Sequence, residues 1–131
     1  MLSRSSGWLG REMNECSMIA NAAMRHGVPA SALCALRIAE NGGPGREFGV
    51  LSIPAKTYEA QVDVAARSFR NSETRYHNAK DRPSRDEHGR YTEDFLKFFS
   101  ERWAPIGAEN DPTSLNAHHS KNLIESYGLF K

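Results

Sequence analysis

Glu40 closes the stretch Ser31-Ala-Leu-Cys-Ala-Leu-Arg-Ile-Ala-Glu40, whose apolar spacing predicts a helix. With Leu33 at zero and a turn of about 100° per residue, Leu36 falls near about −60° and Glu40 near about −20°. The carboxyl therefore shares a face with both leucines. Burial disfavours the charged form of a carboxyl, and the partial negative charge at a helix C-terminus acts in the same direction. A carboxyl in such a place suits general acid work, such as protonating a glycosidic oxygen. The segment Asn41-Gly-Gly-Pro-Gly45 follows at once, and backbone without bulk beside the carboxyl lets a large substrate approach. The same position also suits a solvent-facing glutamate, or one paired with Arg37 or Arg46.

Hydrolysis of a glycosidic bond generally uses a second carboxylate, roughly 5 Å or roughly 6.5–9.5 Å from the first. Glu47 is close in sequence, and Glu93, Asp94, Glu109 and Asp111 lie near the later turns. Each of these also suits a solvated or capping role. Tyr76 and Tyr91 flank a polar stretch and are expected at the cleft, where a ring face can stack on a sugar. Trp103 also has a ring that suits stacking on a sugar, but it falls on a stripe with Phe95, Leu96 and Phe99 and is expected in the core. The histidines at 26, 77, 88, 118 and 119 show no paired ligand spacing, so neither a metal centre nor a cofactor is expected. His119 is expected to border the cleft or solvent. Acidic residues Asp81, Asp86 and Glu87 interrupt Arg82, Arg85 and Arg90, which reads as a solvated loop rather than a nucleic-acid face. The glycines from 42 to 45 follow a helix rather than a strand, the wrong context for a nucleotide cradle.

The elements that must position these residues are mainly α. The spacing predicts a first helix over about Glu12 to His26, stopped by Gly27, and a second from near Pro29 to Glu40. A third, about Tyr58 to Asn71, aligns Tyr58, Val62, Ala65 and Phe69. From Ser72 to Arg90 the chain turns polar and reads as a long exposed loop or an irregular insertion. A fourth helix starts at the cap Thr92 and ends before Pro105, and a last one covers about Ser114 to Tyr127 with Leu123, Ile124 and Tyr127 inward. The only strand-like run is short, Phe48 to Ile53.

A chain of 131 residues is enough for one domain and too short for two with separate cores. Hydrophobic residues make up 39% and charged residues 25%, with a mean hydropathy of −0.62, as in a polar globular protein. Seventeen basic against sixteen acidic side chains leave a net charge of +1, too little to draw the protein to nucleic acid or anionic lipid. No apolar run approaches the roughly 18 residues of a membrane span. The first residues lack the apolar core, roughly 7–15 residues long, of a secretory signal. A substrate outside the cytoplasm is then reached from a virion or by another release route. Cys16 and Cys34 form no CxxC pair and read as small buried thiols, with a bridge between them left open. A monomer is expected.

The string Ile38-Ala-Glu-Asn-Gly-Gly-Pro-Gly-Arg-Glu-Phe-Gly-Val-Leu-Ser52 resembles the lytic transglycosylase and goose-type lysozyme branch of the lysozyme-like superfamily. There a helix ends at a catalytic glutamate and a short segment of the Gly-Leu-Met-Gln type follows. Glu40 matches the glutamate, and Gly49, Val50, Leu51 and Ser52 match the segment. Glycines stand where the pattern has a serine after the glutamate, and Ser52 stands where it has glutamine. The helix from Tyr58 and the string Arg102-Trp-Ala-Pro-Ile-Gly-Ala-Glu-Asn-Asp-Pro112 look like phage-encoded members. The resemblance implies a lysozyme-like helical domain of about five helices that cleaves the bond between N-acetylmuramic acid and N-acetylglucosamine in peptidoglycan. Glu40 would be acid and then base, and Glu47 with the segment 49–52 would line the substrate cleft. It also implies a way to dispense with the second carboxylate, attack by the muramic sugar's own 6-hydroxyl. A catalytically silent virion or cell-envelope component that binds glycan or protein is the alternative.

Overall fold

The computed structural model describes residues 7–43, 46–50, 57–104 and 118–130, with side chains from residue 15 onward. Five helices account for most of them: α1 (Gly7–His26), α2 (Ala30–Glu40), α3 (Tyr58–Lys80), α4 (Glu93–Trp103) and α5 (His119–Tyr127). Among the described residues there is no strand; Phe48 lies in a turn, and residues 51–53 of the expected strand fall outside them. No helix among them is long and apolar enough to cross a membrane.

The ends of the helices follow from local chemistry. Gly27 takes a φ of +67°, which ends α1 without the steric cost a side chain would bring. Pro29 fixes the entry to α2, and Asn41 leaves it in the left-handed conformation, its amide bonded to the Arg37 carbonyl. Thr57 and Thr92 cap α3 and α4, each hydroxyl accepting from the amide three residues on. Glu93 and Asp94 add negative charge to the first turn of α4, where the helix dipole favours it.

α3 corrects the sequence reading. It continues nine residues past Asn71 to Lys80, through what reads as an exposed loop. The inward positions Val62, Phe69 and Tyr76 recur every seven residues, with Ser72 between the last two, so the stripe persists while composition turns polar. The loop proper is short. It is closed by an isolated bridge between Arg85 and Tyr91, by the Asp86 side chain accepting from the amides of His88 and Arg90, and by Gly89 at a φ of +78°. α5 is described from His119; residues 105–117, among them the expected start at Ser114, lie outside the described part.

All five helices feed one core. Ile19, Leu33, Phe69, Phe95 and Leu123, one from each helix, belong to a single buried cluster. α2 packs against α1 and α5, α4 against α3 and α5, and α1 against α3. The end of α2 is thereby brought beside the C-terminal end of α4 and the start of α5. Cys16 is exposed and Cys34 half-buried, both as free thiols, so only the second approaches the expected burial.

Candidate active site

Glu40, the last residue of α2, keeps 18% of its side chain exposed. Its Oε2 accepts from Trp103 Nε1 at 2.9 Å and lies 2.8 Å from His119 Nε2. Indole N–H can only donate. Behind His119, which is 8% exposed, Ser100 Oγ stands 3.0 Å from Nδ1. A consistent arrangement has the serine hydroxyl donating to Nδ1 and Nε2–H donating to the carboxylate. Both hydrogen bonds end on the same oxygen. Oε1 faces Gly49, where a Cβ would collide with it.

The wall at Gly49 is held by a residue that the sequence reading passed over. Gln61 of α3 is fully buried, and its amide accepts from the backbone N–H groups of Phe48 and Val50 while donating to the Val50 carbonyl. A buried glutamine on a helix face otherwise made of Tyr58, Val62 and Ala65 is the signal that was available. Gly49 takes a φ of +76° in the turn from Arg46, a conformation that favours glycine.

A cleft of about 560 Å³ opens beside this wall, within the range of roughly 300–1,000 Å³ usual for small-ligand sites. Its lining includes Gly49, Val50, Phe99 and Trp103 together with the polar side chains of Asn71, Ser72, Arg75 and Arg102. Glu40 is not on the cleft wall. It meets the cleft through Gly49 and Trp103, the two lining residues that touch its carboxyl.

The site residues inferred from sequence divide sharply. Gly49 and Val50 lie on the cleft, and Glu47 is half-buried in the turn leading to them. Leu51, Ser52, Glu109 and Asp111 fall outside the described residues. Tyr76 and Tyr91 are a correction: at 1% and 4% exposure they are core residues, with hydroxyls tied to Asp94 and Glu73 and rings against Phe95. No ring face is left for a sugar. The extension of α3 turns Tyr76 inward, and the Arg85 bridge does the same for Tyr91. Trp103 and His119 depart from the reading in the other direction. Trp103 stacks on Phe99 as a core residue would, yet its N–H reaches Glu40, and His119 is buried against that carboxyl.

Asp94 accepts from Tyr76 and pairs with Arg82, and Glu93 is exposed in the first turn of α4. Arg37 binds Glu15 and the Gly42 carbonyl, not Glu40. Among the described residues no group of three or more histidine, cysteine or acidic side chains is placed to hold a metal ion. No family model, curated protein or solved structure matches the chain.

Proposed function

We propose that the protein is a lysozyme-like enzyme that cleaves the β-1,4 bond between N-acetylmuramic acid and N-acetylglucosamine in peptidoglycan, with Glu40 as acid and then base. The observation that carries this reading is the Glu40 carboxyl held against two residues of the cleft wall, Gly49 and Trp103, with donors among the described residues on Oε2 alone and Oε1 turned to the glycine wall. Two donors make Oε2 an acceptor, which leaves the catalytic proton to Oε1. The likeness of the Glu40 to Ser52 string to lytic transglycosylases supplies the substrate class.

In this mechanism Oε1–H protonates the glycosidic oxygen as the bond from C1 of the muramic sugar breaks. The carboxylate that remains takes the proton of the muramic 6-hydroxyl as its oxygen bonds to C1. That gives a 1,6-anhydro product and restores the acid. Water in place of the 6-hydroxyl gives a reducing end. Trp103 and His119 stabilise the carboxylate between the two steps, when its charge is greatest.

One contact favours a second reading, a glycan-binding protein without cleavage. His119 lies 2.8 Å from Glu40, and an imidazolium there would hold the carboxyl as a fixed ion pair. Mass spectrometry of purified peptidoglycan treated with the wild type and with Glu40→Gln separates the readings. Anhydro-muropeptides released by the wild type alone are the expected result. Reducing-end products would make it a hydrolase, and no release by either protein, or equal release by both, would overturn Glu40 as catalyst.

A further inference from the structure

Arg75 of α3 and Arg102 of α4 line the same cleft. Neither has a carboxylate partner among the described residues, whereas Arg25, Arg37, Arg67, Arg82 and Arg85 are each paired. Arg75 is held in place by neutral groups. Its Nη2 donates to Ser72 Oγ at 2.8 Å, and its guanidinium lies 5.3 Å over the Phe98 ring. Arg75 is half-buried and Arg102 exposed on the lining of one cleft, and like charges there repel each other, a repulsion that a bound anion relieves. Guanidinium groups match the planar, two-pronged geometry of carboxylates.

We propose that Arg75 and Arg102 form a subsite for a carboxylate carried by the peptide stem on the muramic sugar, so that the protein prefers peptide-bearing strands to bare glycan. The sugar part of this assignment rests on the peptidoglycan reading above; the anion part rests on the arginines alone. Burial, and after it the charge of Arg102, holds the Arg75 guanidinium below its usual range, as expected of a cation lacking a counter-charge. Neither arginine is among the hydrogen-bond partners of Glu40, so recognition of the stem is separable from bond cleavage.

The test is binding to the full chain by calorimetry, together with the Arg Nε–H signals in NMR spectra, using three probes. These are a peptide-bearing muramyl tetrasaccharide, N-acetylchitotetraose, which has no carboxylate, and the free stem tetrapeptide. The wild type is expected to bind the peptide-bearing sugar about tenfold or more tightly than chitotetraose, with the Arg75 and Arg102 signals shifted. Arg75→Gln with Arg102→Gln, checked as folded by circular dichroism, should abolish that preference by weakening binding of the peptide-bearing sugar far more than binding of chitotetraose. Glu40→Gln should keep the preference.

A preference retained by the double glutamine variant overturns the subsite while leaving the glycan reading intact. Arginine shifts with the free tetrapeptide but no binding of chitotetraose support the anion site and count against the glycan reading. A glycerol phosphate oligomer that binds the arginines more tightly than the tetrapeptide overturns the carboxylate assignment.

Discussion

Two carboxylates stand at opposite ends of one column of rings, and the protein treats them differently. The column runs from Trp103 through Phe99 and Phe69 to Tyr91, with successive centroids 5.4, 4.0 and 5.5 Å apart. At one end the indole donates to Glu40; at the other the Tyr91 hydroxyl donates to Glu73 at 2.6 Å. Glu73 is otherwise saturated. Its Oε1 accepts from Ser84 and Arg85, and its Oε2 from Arg85 as well as Tyr91. Burial pushes this carboxyl up, but the hydrogen bonds from Arg85, Tyr91 and Ser84 outweigh it and hold Glu73 below the usual carboxylate range. Arg85 also reaches the Gly27 carbonyl, so the cluster ties the loop after α3 to the turn between α1 and α2. Glu40 has donors on one oxygen and no guanidinium among the described residues. A carboxylate compensated on every side is a fixed part of the framework, whereas one compensated on one side leaves an oxygen without a donor among the described residues, the one the proposed chemistry uses.

This contrast is broken most directly by removing each carboxylate in turn. Glu40→Gln should lower turnover by about 10²–10⁴-fold with no shift in the urea midpoint. Glu73→Ala should leave the turnover of the folded protein near that of the wild type and reduce stability by about 3 kcal/mol, because Arg85 loses its counter-charge. Equal effects on both readouts would erase the distinction. Gly49→Ala sharpens it at the cleft end: the collision with Oε1 and the left-handed backbone should cost about 1–2 kcal/mol and lower activity, measured by denaturation and turnover.

Trp103→Phe keeps a ring on Phe99 and removes only the indole donor. It should lower kcat about tenfold with little change in KM, since a group that steadies the carboxylate acts on the chemical step. The smallest effect concerns acid stability, followed by urea midpoints at successive pH values. A hydrogen bond from His26 above all, with Arg25 and Arg67 beside it, lowers Asp63 from 3.8 to about 2. Its folded value lies below its unfolded one, so the stabilisation is present above pH 3.8 and is lost as pH falls toward 2. Asp63→Asn should flatten the fall in that window, and Glu73→Ala should flatten the acid limb in the same sense.

Much of the helical frame was legible because its signals are local. The Thr92 cap, the Gly27 stop and the end of α2 at Glu40 each depend on a few neighbouring residues. The second half of α3 was obscured because its outward positions are polar, and only the recurrence of Phe69 and Tyr76 marked its inward face. The partners of Glu40 were beyond reach for another reason. Trp103 is 63 residues away and His119 is 79, and no local pattern links them to the end of α2. Tyr91 was misplaced because its outward-looking polar neighbours include Arg85, whose guanidinium folds back over the ring.

The Gln61 amide ties the turn at the cleft to the core. Phe48 and Val50 belong to a turn, where backbone N–H groups ordinarily exchange with solvent quickly, yet both donate to a side chain fully buried on α3. Their deuterium uptake should therefore follow the slow unfolding of that helix rather than the breathing of a loop. The glycine wall facing Glu40 is then released only when the core itself comes apart.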